Sequence, residues 1–131
     1  MLIKLGIVTT GVALLLGGTA QAAEQTPPTC PSAVQVGSTG VVRGGATTTA
    51  TITQFEGCGA KFGHIHVQSS STFRASIKLS GGGSFTPPTQ GATNQRDVWT
   101  SSKTLNDKCT IAVGTVEIGG TQLTGSSGSS C

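Results

Sequence analysis

Phe73-Arg74-Ala75-Ser76-Ile77-Lys78-Leu79 alternates without a break between apolar and polar side chains. Residues two apart in an extended chain project to the same side, so this stretch carries one apolar face and one wet face, as a half-buried strand requires. The same period of two, in runs rich in Thr, Val, Ile and Phe, recurs on both sides of it, at 33–36, 40–43, 47–55, 61–68, 72–79, 97–101 and 110–118. β-branched and aromatic residues suit a pleated surface, and no run shows a 3.6-residue apolar stripe. Residues 101–108 hold one large apolar residue, Leu105, and read as a loop.

Turn chemistry separates the runs: Gly37-Ser38-Thr39, Gly44-Gly45, Gly57-Cys58-Gly59, Ser69-Ser70-Ser71, Gly81-Gly82-Gly83 and Gly119-Gly120. About seven short strands punctuated in this way predict an all-β fold, a small antiparallel β-sandwich; a partly open barrel gives the same alternation. Residues 81–96 form an unusually long connection with Pro87-Pro88 at its centre, which reads either as a binding loop or as a crossing from one sheet to the other.

The core available to such a fold is thin. Taking 23–131 as the mature chain, 48 of 109 residues are Thr, Ser or Gly, while Val, Ile, Leu and Phe supply 20. Seven Lys/Arg against five Asp/Glu leave too little charge for a disordered polyelectrolyte, a nucleic-acid partner or an acidic membrane surface.

The choice of 23 as the first mature residue rests on residues 1–22. They place Lys4 before an apolar stretch at 12–16 and end in Ala20-Gln21-Ala22, the pattern of an export signal cleaved after Ala22. Thr9, Thr10, Gly17 and Gly18 interrupt the apolar part too soon for a membrane span, so no membrane insertion is expected. Residues 23–131 then form a single domain, periplasmic or secreted.

Cys30, Cys58, Cys109 and Cys131 all follow the cleavage point, and four cysteines in a small exported chain read as two disulfides. Three pairings exist. Cys30 with Cys58 and Cys109 with Cys131 is preferred, because each bridge then closes a local loop and the second staples a loose, glycine-rich C-terminus. On the chain-entropy view each contributes about 3 kcal/mol.

Chemistry-bearing residues are few. His64-Ile65-His66 sets two imidazoles on one side of a strand, with Phe62 and Gln68, while Gly63, Ile65 and Val67 turn inward. Those imidazoles are expected at the surface or hydrogen-bonded at a sheet edge. As a metal site, His64 and His66 lack the third and fourth ligands that copper or zinc needs, and Asp97, among other acids, is not brought to them by the sequence. No G-x-S-x-G elbow, P-loop or C-x-x-C is present. Trp99, the sole Trp in a chain without Tyr, is expected to anchor the core.

The expected function is that of an exported, non-catalytic binding protein, at a surface, on an appendage or secreted. It carries no cofactor and meets a protein partner through hydroxyl-rich faces and through sheet edges that add a strand. The alternative is a periplasmic copper- or zinc-binding protein using His64 and His66. A small secreted hydrolase or inhibitor comes third, the inhibitor loop being 56–61 around Cys58. N-terminal sequencing of the exported protein is expected to begin Ala23-Glu24-Gln25, and a product that retains Met1 would remove the export reading.

Overall fold

A computed structural model of the chain describes residues 26–81, 84–102 and 109–131. The expected export signal and most of the 101–108 segment lie outside the described residues. Nine strands are described: β1 (Val34–Gly44), β2 (Thr47–Gly57), β3 (Ala60–Val67), β4 (Arg74–Gly81), β5 (Ser84–Phe85), β6 (Thr89–Gln90), β7 (Asp97–Trp99), β8 (Thr110–Ile118) and β9 (Thr121–Ser126). They form two antiparallel sheets, one ordered β1-β2-β3-β7 and the other β5-β4-β8-β9, with β6 also paired to β4. The all-β sandwich expected from the alternation is the fold. Among the described residues no helix is long and apolar enough to cross a membrane.

Three hairpins carry the register of the sheets, and each uses the turn that its glycines permit. Cys58-Gly59 (φ +52° and +70°) and Gly119-Gly120 (φ +58° and +80°) connect β2 to β3 and β8 to β9 as two-residue loops in the left-handed region, the type I′ geometry that matches strand twist. Gly45 (φ +65°) opens the two-residue connection from β1 to β2.

Alternate residues of both sheets meet in the middle. Ala50, Ile52, Ile65 and Val67 of the first sheet face Ala75, Ile77, Leu79, Ala112 and Val116 of the second, with Val42, Phe73 and Val98 closing the margins. Phe73, Ala75, Ile77 and Leu79 thus face inward as read from the sequence, and Gly63 turns inward with Ile65 and Val67. Gly114 sets the sheet spacing at the centre: a Cβ there would stand 2.9 Å from Ile52 Cδ1 and Ile65 Cδ1.

The sequence reading needs correction in three places. The runs at 33–36 and 40–43 belong to one strand, β1, because a register shift between Val36 and Gly40 absorbs Gly37-Ser38-Thr39 as an irregularity rather than a turn. The C-terminus is not loose: Thr121–Ser126 is a ninth-element strand whose Thr, Gln and Ser pair with β8 throughout, a composition that hid it from a reading based on β-branched and aromatic residues. The 81–96 connection lies along the edge of β4 rather than projecting from it. Ser84–Phe85 and Thr89–Gln90 pair with the edge of β4, and between them Thr86 is buried, accepting from Leu79 N at 2.9 Å through its hydroxyl and donating its own N–H to Leu79 O at 2.9 Å. The segment hems one sheet and then crosses to the other, the alternative reading of its length.

Sheet edges are therefore less available than the sequence suggested. On the opposite flank, β1 and β9 approach so closely that a Cβ at Gly40 would overlap Ser126 O and one at Gly125 would overlap Val41 O. The tail that follows β9 donates Gly128 N to Ser38 O at 2.9 Å.

Both disulfides have the preferred pairing, Cys30–Cys58 and Cys109–Cys131. The first pins the entering chain to the β2–β3 turn, where Cys30, Ala33, Phe55, Ala60 and Phe62 form a second apolar cluster. The second ties the last residue to the start of β8.

Where the sandwich ends at that start, polar side chains replace apolar ones in the inward phase. Gln54 and Lys61 of the first sheet and Thr110 of the second are 0%, 0% and 1% exposed. Gln54 Nε2 donates to Thr110 O (2.9 Å) and Gly128 O (3.0 Å), and Thr110 Oγ1 donates to Gln54 Oε1 (2.7 Å). Lys61 Nζ donates to Thr110 Oγ1 and to Ser130 O, both at 3.0 Å. A buried polar group costs little while it is paired and much when its partner is removed. Replacing Gln54 by Leu removes three hydrogen bonds from this cluster at once, although Thr110 O keeps Ser130 N and Gly128 O keeps Ser127 Oγ, and is expected to lower stability by about 2–4 kcal/mol. Chemical denaturation of the oxidised protein measures it, and a loss below half that figure would mean that water enters and satisfies the groups.

Candidate functional site

The outward face of the first sheet gathers most of the residues singled out for chemistry. In the β2–β3–β7 ladder, Thr53, His64 and Trp99 are direct cross-strand neighbours, as are Thr51, His66 and Asp97. Residues directly opposite one another share a face, so two rows of three side chains stand next to each other. Phe55 and Phe62 form the adjoining row.

Asp97 joins the two imidazoles. Its Oδ1 accepts from His64 Nε2 at 2.8 Å and from His66 Nδ1 at 3.0 Å. An ionised carboxylate only accepts, which places a proton on each of these two nitrogens. His64 Nδ1 then remains for Thr53 Oγ1, 3.4 Å away. His64 also lies flat against Trp99, ring centroids 4.0 Å apart and planes 14° from parallel, while Phe55 meets the Trp99 ring at 5.2 Å and 58°. Both histidines are 3% exposed and the Asp97 side chain 17%.

The pair therefore shares a face with Phe62, as the i, i+2 spacing required, and is hydrogen-bonded to the edge strand β7. It is not at the surface. Trp99 differs more from expectation: Val98, next to it, takes the inward position at 2% exposure, and strand alternation sends Trp99 outward onto the Phe55–Phe62 cluster. It anchors the satellite cluster rather than the main core.

The structure brings Asp97, the acid that the sequence could not place, to the pair, with one carboxylate oxygen within hydrogen-bond distance of both imidazoles. Among the described residues no group of three or more His, Cys, Asp or Glu is disposed to hold a metal ion. What the arrangement does is fasten the three-residue strand β7 onto β3 with charge-assisted hydrogen bonds beside a stacked indole.

The loop expected of an inhibitor, 56–61, is a tight turn: the ladder continues to Gly57 and Ala60, leaving Cys58 and Gly59 outside it, and Lys61 points into the core. Two open cavities lie elsewhere, on and beside the outer face of the second sheet. One, of about 230 Å³, lies between Phe73, Arg74, Thr93 and the Gly119-Gly120 turn. The other, of about 200 Å³, lies over Ser76, Lys78, Val113, Thr115 and Thr124, against Pro88.

Compared with known proteins, the chain matches no family model, no curated protein and no solved structure. The two disulfides suggest an oxidising, non-cytoplasmic environment.

Replacing Asp97 by Ala leaves two buried imidazole N–H groups without that acceptor and is expected to destabilise the protein by about 2–4 kcal/mol. Because Trp99 is the single indole and stacks on His64, its fluorescence reports the change. Emission that stays native while stability is unaltered would show that Asp97 does not hold this edge.

Proposed function

We propose that this is an exported, non-catalytic binding module, periplasmic or secreted, that meets a protein partner across the outer face of its second sheet. One observation carries the reading: the middle of that face is a row of short hydroxyl side chains beside a shallow cavity, flanked by Lys78, Arg74 and Glu117. Across β4, β8 and β9 run the rows Lys78–Val113–Ser126, Ser76–Thr115–Thr124 and Arg74–Glu117–Gln122. The cavity of about 200 Å³ sits over the first two rows, and Thr115 and Thr124 hydroxyls lie 3.4 Å apart. Short hydroxyls lose little conformational freedom when covered and offer both donors and acceptors, which suits a polar, hydrogen-bonding contact.

The rest of the surface supports this by elimination. The outer face of the first sheet is largely occupied by its own aromatic cluster and by the His64–Asp97–His66 network, in which one carboxylate oxygen lies against both histidines. The β4 edge is hemmed by β5 and β6, and β1 runs against β9, so recognition by adding a strand has little backbone to use.

A photo-crosslinking residue at position 115 is expected to give one saturable adduct in the native exporting host, competed by excess unmodified mature chain but not by a chain carrying Thr124→Arg. The same residue at Gln35 serves as control. Equal adducts from both positions, or none from 115, would remove the reading. Calorimetric titration of the oxidised chain with zinc and copper(II) is expected to be silent at micromolar concentration; one-to-one binding abolished by His64→Ala would favour the metal-binding alternative instead.

A further inference from the structure

The two disulfides differ in what surrounds them. Cys30 is 0% exposed, sealed in the cluster with Phe55 and Phe62, so that sulfur is out of reach of a nucleophile, while its partner Cys58 is exposed in the β2–β3 turn. Cys109 and Cys131 are both exposed. Thiol–disulfide exchange requires a thiolate to reach a sulfur in line with the bond: Cys109–Cys131 offers two such sulfurs with exposed leaving groups, whereas Cys30–Cys58 offers only Cys58, whose attack would leave the Cys30 thiolate buried among apolar groups.

The segments they hold differ as well. After β9 the chain runs Ser127-Gly128-Ser129-Ser130 before Cys131 and contributes no apolar side chain to the core. Apart from sulfur it is held by hydrogen bonds: Ser127 N to Ala112 O (2.9 Å), Gly128 N to Ser38 O (2.9 Å), Ser130 N to Thr110 O (2.9 Å) and Thr110 N to Ser130 O (2.8 Å). Water replaces such bonds readily in a segment that buries no apolar side chain. This strap forms one wall around Lys61 and Gln54, through the carbonyls of Ser130 and Gly128.

We infer that Cys109–Cys131 is a reducible clasp: a thiol opens it ahead of Cys30–Cys58, and opening frees the strap 127–131 and uncovers Lys61. In the first step an attacking thiolate forms a bond to one clasp sulfur while the S–S bond breaks. The other sulfur leaves as a thiolate and takes a proton from water. A second thiol then resolves the mixed disulfide. The clasp gains two electrons and ends as two cysteines, and the two thiols leave as their own disulfide. The amine of Lys61, shielded in the oxidised protein, becomes a surface group in the reduced one.

The oxidised mature protein, equilibrated in buffers of graded reduced-to-oxidised glutathione ratio, alkylated and mapped by mass spectrometry, tests the order. Cys109 and Cys131 are expected to become alkylated under conditions at least tenfold less reducing than Cys30 and Cys58. Brief lysine acylation of the same samples is expected to mark Lys61 in step with the opening of that bridge, with Lys78 as an internal comparison. Simultaneous opening, the reverse order, or a Lys61 that stays protected after Cys109 and Cys131 are free would each overturn the inference. In a Cys109→Ser/Cys131→Ser chain Lys61 is expected to be acylated without reductant while Cys30–Cys58 stays intact; protection there equally overturns it. The outcome is independent of the proposed binding face, whose crosslink at position 115 lies on the other side of β8.

Discussion

Lys61 Nζ reaches from the first sheet into the gap between the sheets, where Thr110 Oγ1 and Ser130 O accept its hydrogen bonds. A lysine is rarely buried to this extent, because its amine loses water that only well-placed acceptors replace. Meeting that demand organises the whole end of the sandwich. Thr110 has to begin β8 at this level, Gln54 has to occupy the inward position beside it, and the chain after β9 has to fold back so that Ser130 and Gly128 present their carbonyls. The Cys109–Cys131 bridge keeps those carbonyls there. Where a larger protein would extend its apolar core, this one substitutes a fully partnered polar cluster closed by sulfur, and the two depend on each other.

Closure at that end and along both flanks also explains which surfaces remain for recognition. Two glycines let β1 and β9 meet without side chains between them, and the 81–96 connection lies along β4 instead of projecting. Exposed sheet edges are an aggregation hazard that folds commonly cover. With the edges covered and the first sheet's outer face carrying the entering chain and its aromatic cluster, the outer face of β4, β8 and β9 is where the proposed contact is placed.

The candidate site was half legible in the sequence. The i, i+2 spacing of His64 and His66 fixed their common face, and the alternation Gly63, Ile65, Val67 told which side was the core. Asp97 was invisible in that role, because nothing local indicates that the strand containing it lies beside β3 in this register, 33 residues away from His64 in the chain. Trp99 was misread for a different reason: its size suggested the interior, whereas Val98 had already taken the inward position of a strand only three residues long. Gln54, Lys61 and Thr110 did leave a signal, since each is a polar residue in phase with apolar ones, with Ala50 and Ile52, with Ile65 and Val67, and with Ala112 and Val116 respectively. Three polar residues out of place in the core pattern mark a buried network as readily as three errors of strand assignment.

By itself, the sequence determined the long strands β2, β3, β4 and β8, the inward faces of β3 and β4, the glycine turns between hairpin strands and a cysteine count that called for two bridges. These properties are local: period-two alternation and glycine at left-handed turn positions act over a few residues, and neighbours in the chain are enough to read them. The tertiary structure decided which side chains meet, namely that one carboxylate oxygen receives two histidines, that a buried lysine finds the carbonyl of the next-to-last residue, and that the glycine-rich tail is a paired strand and strap. Such meetings depend on the register between strands distant in sequence and on how two twisted sheets close over one another, which no local pattern encodes.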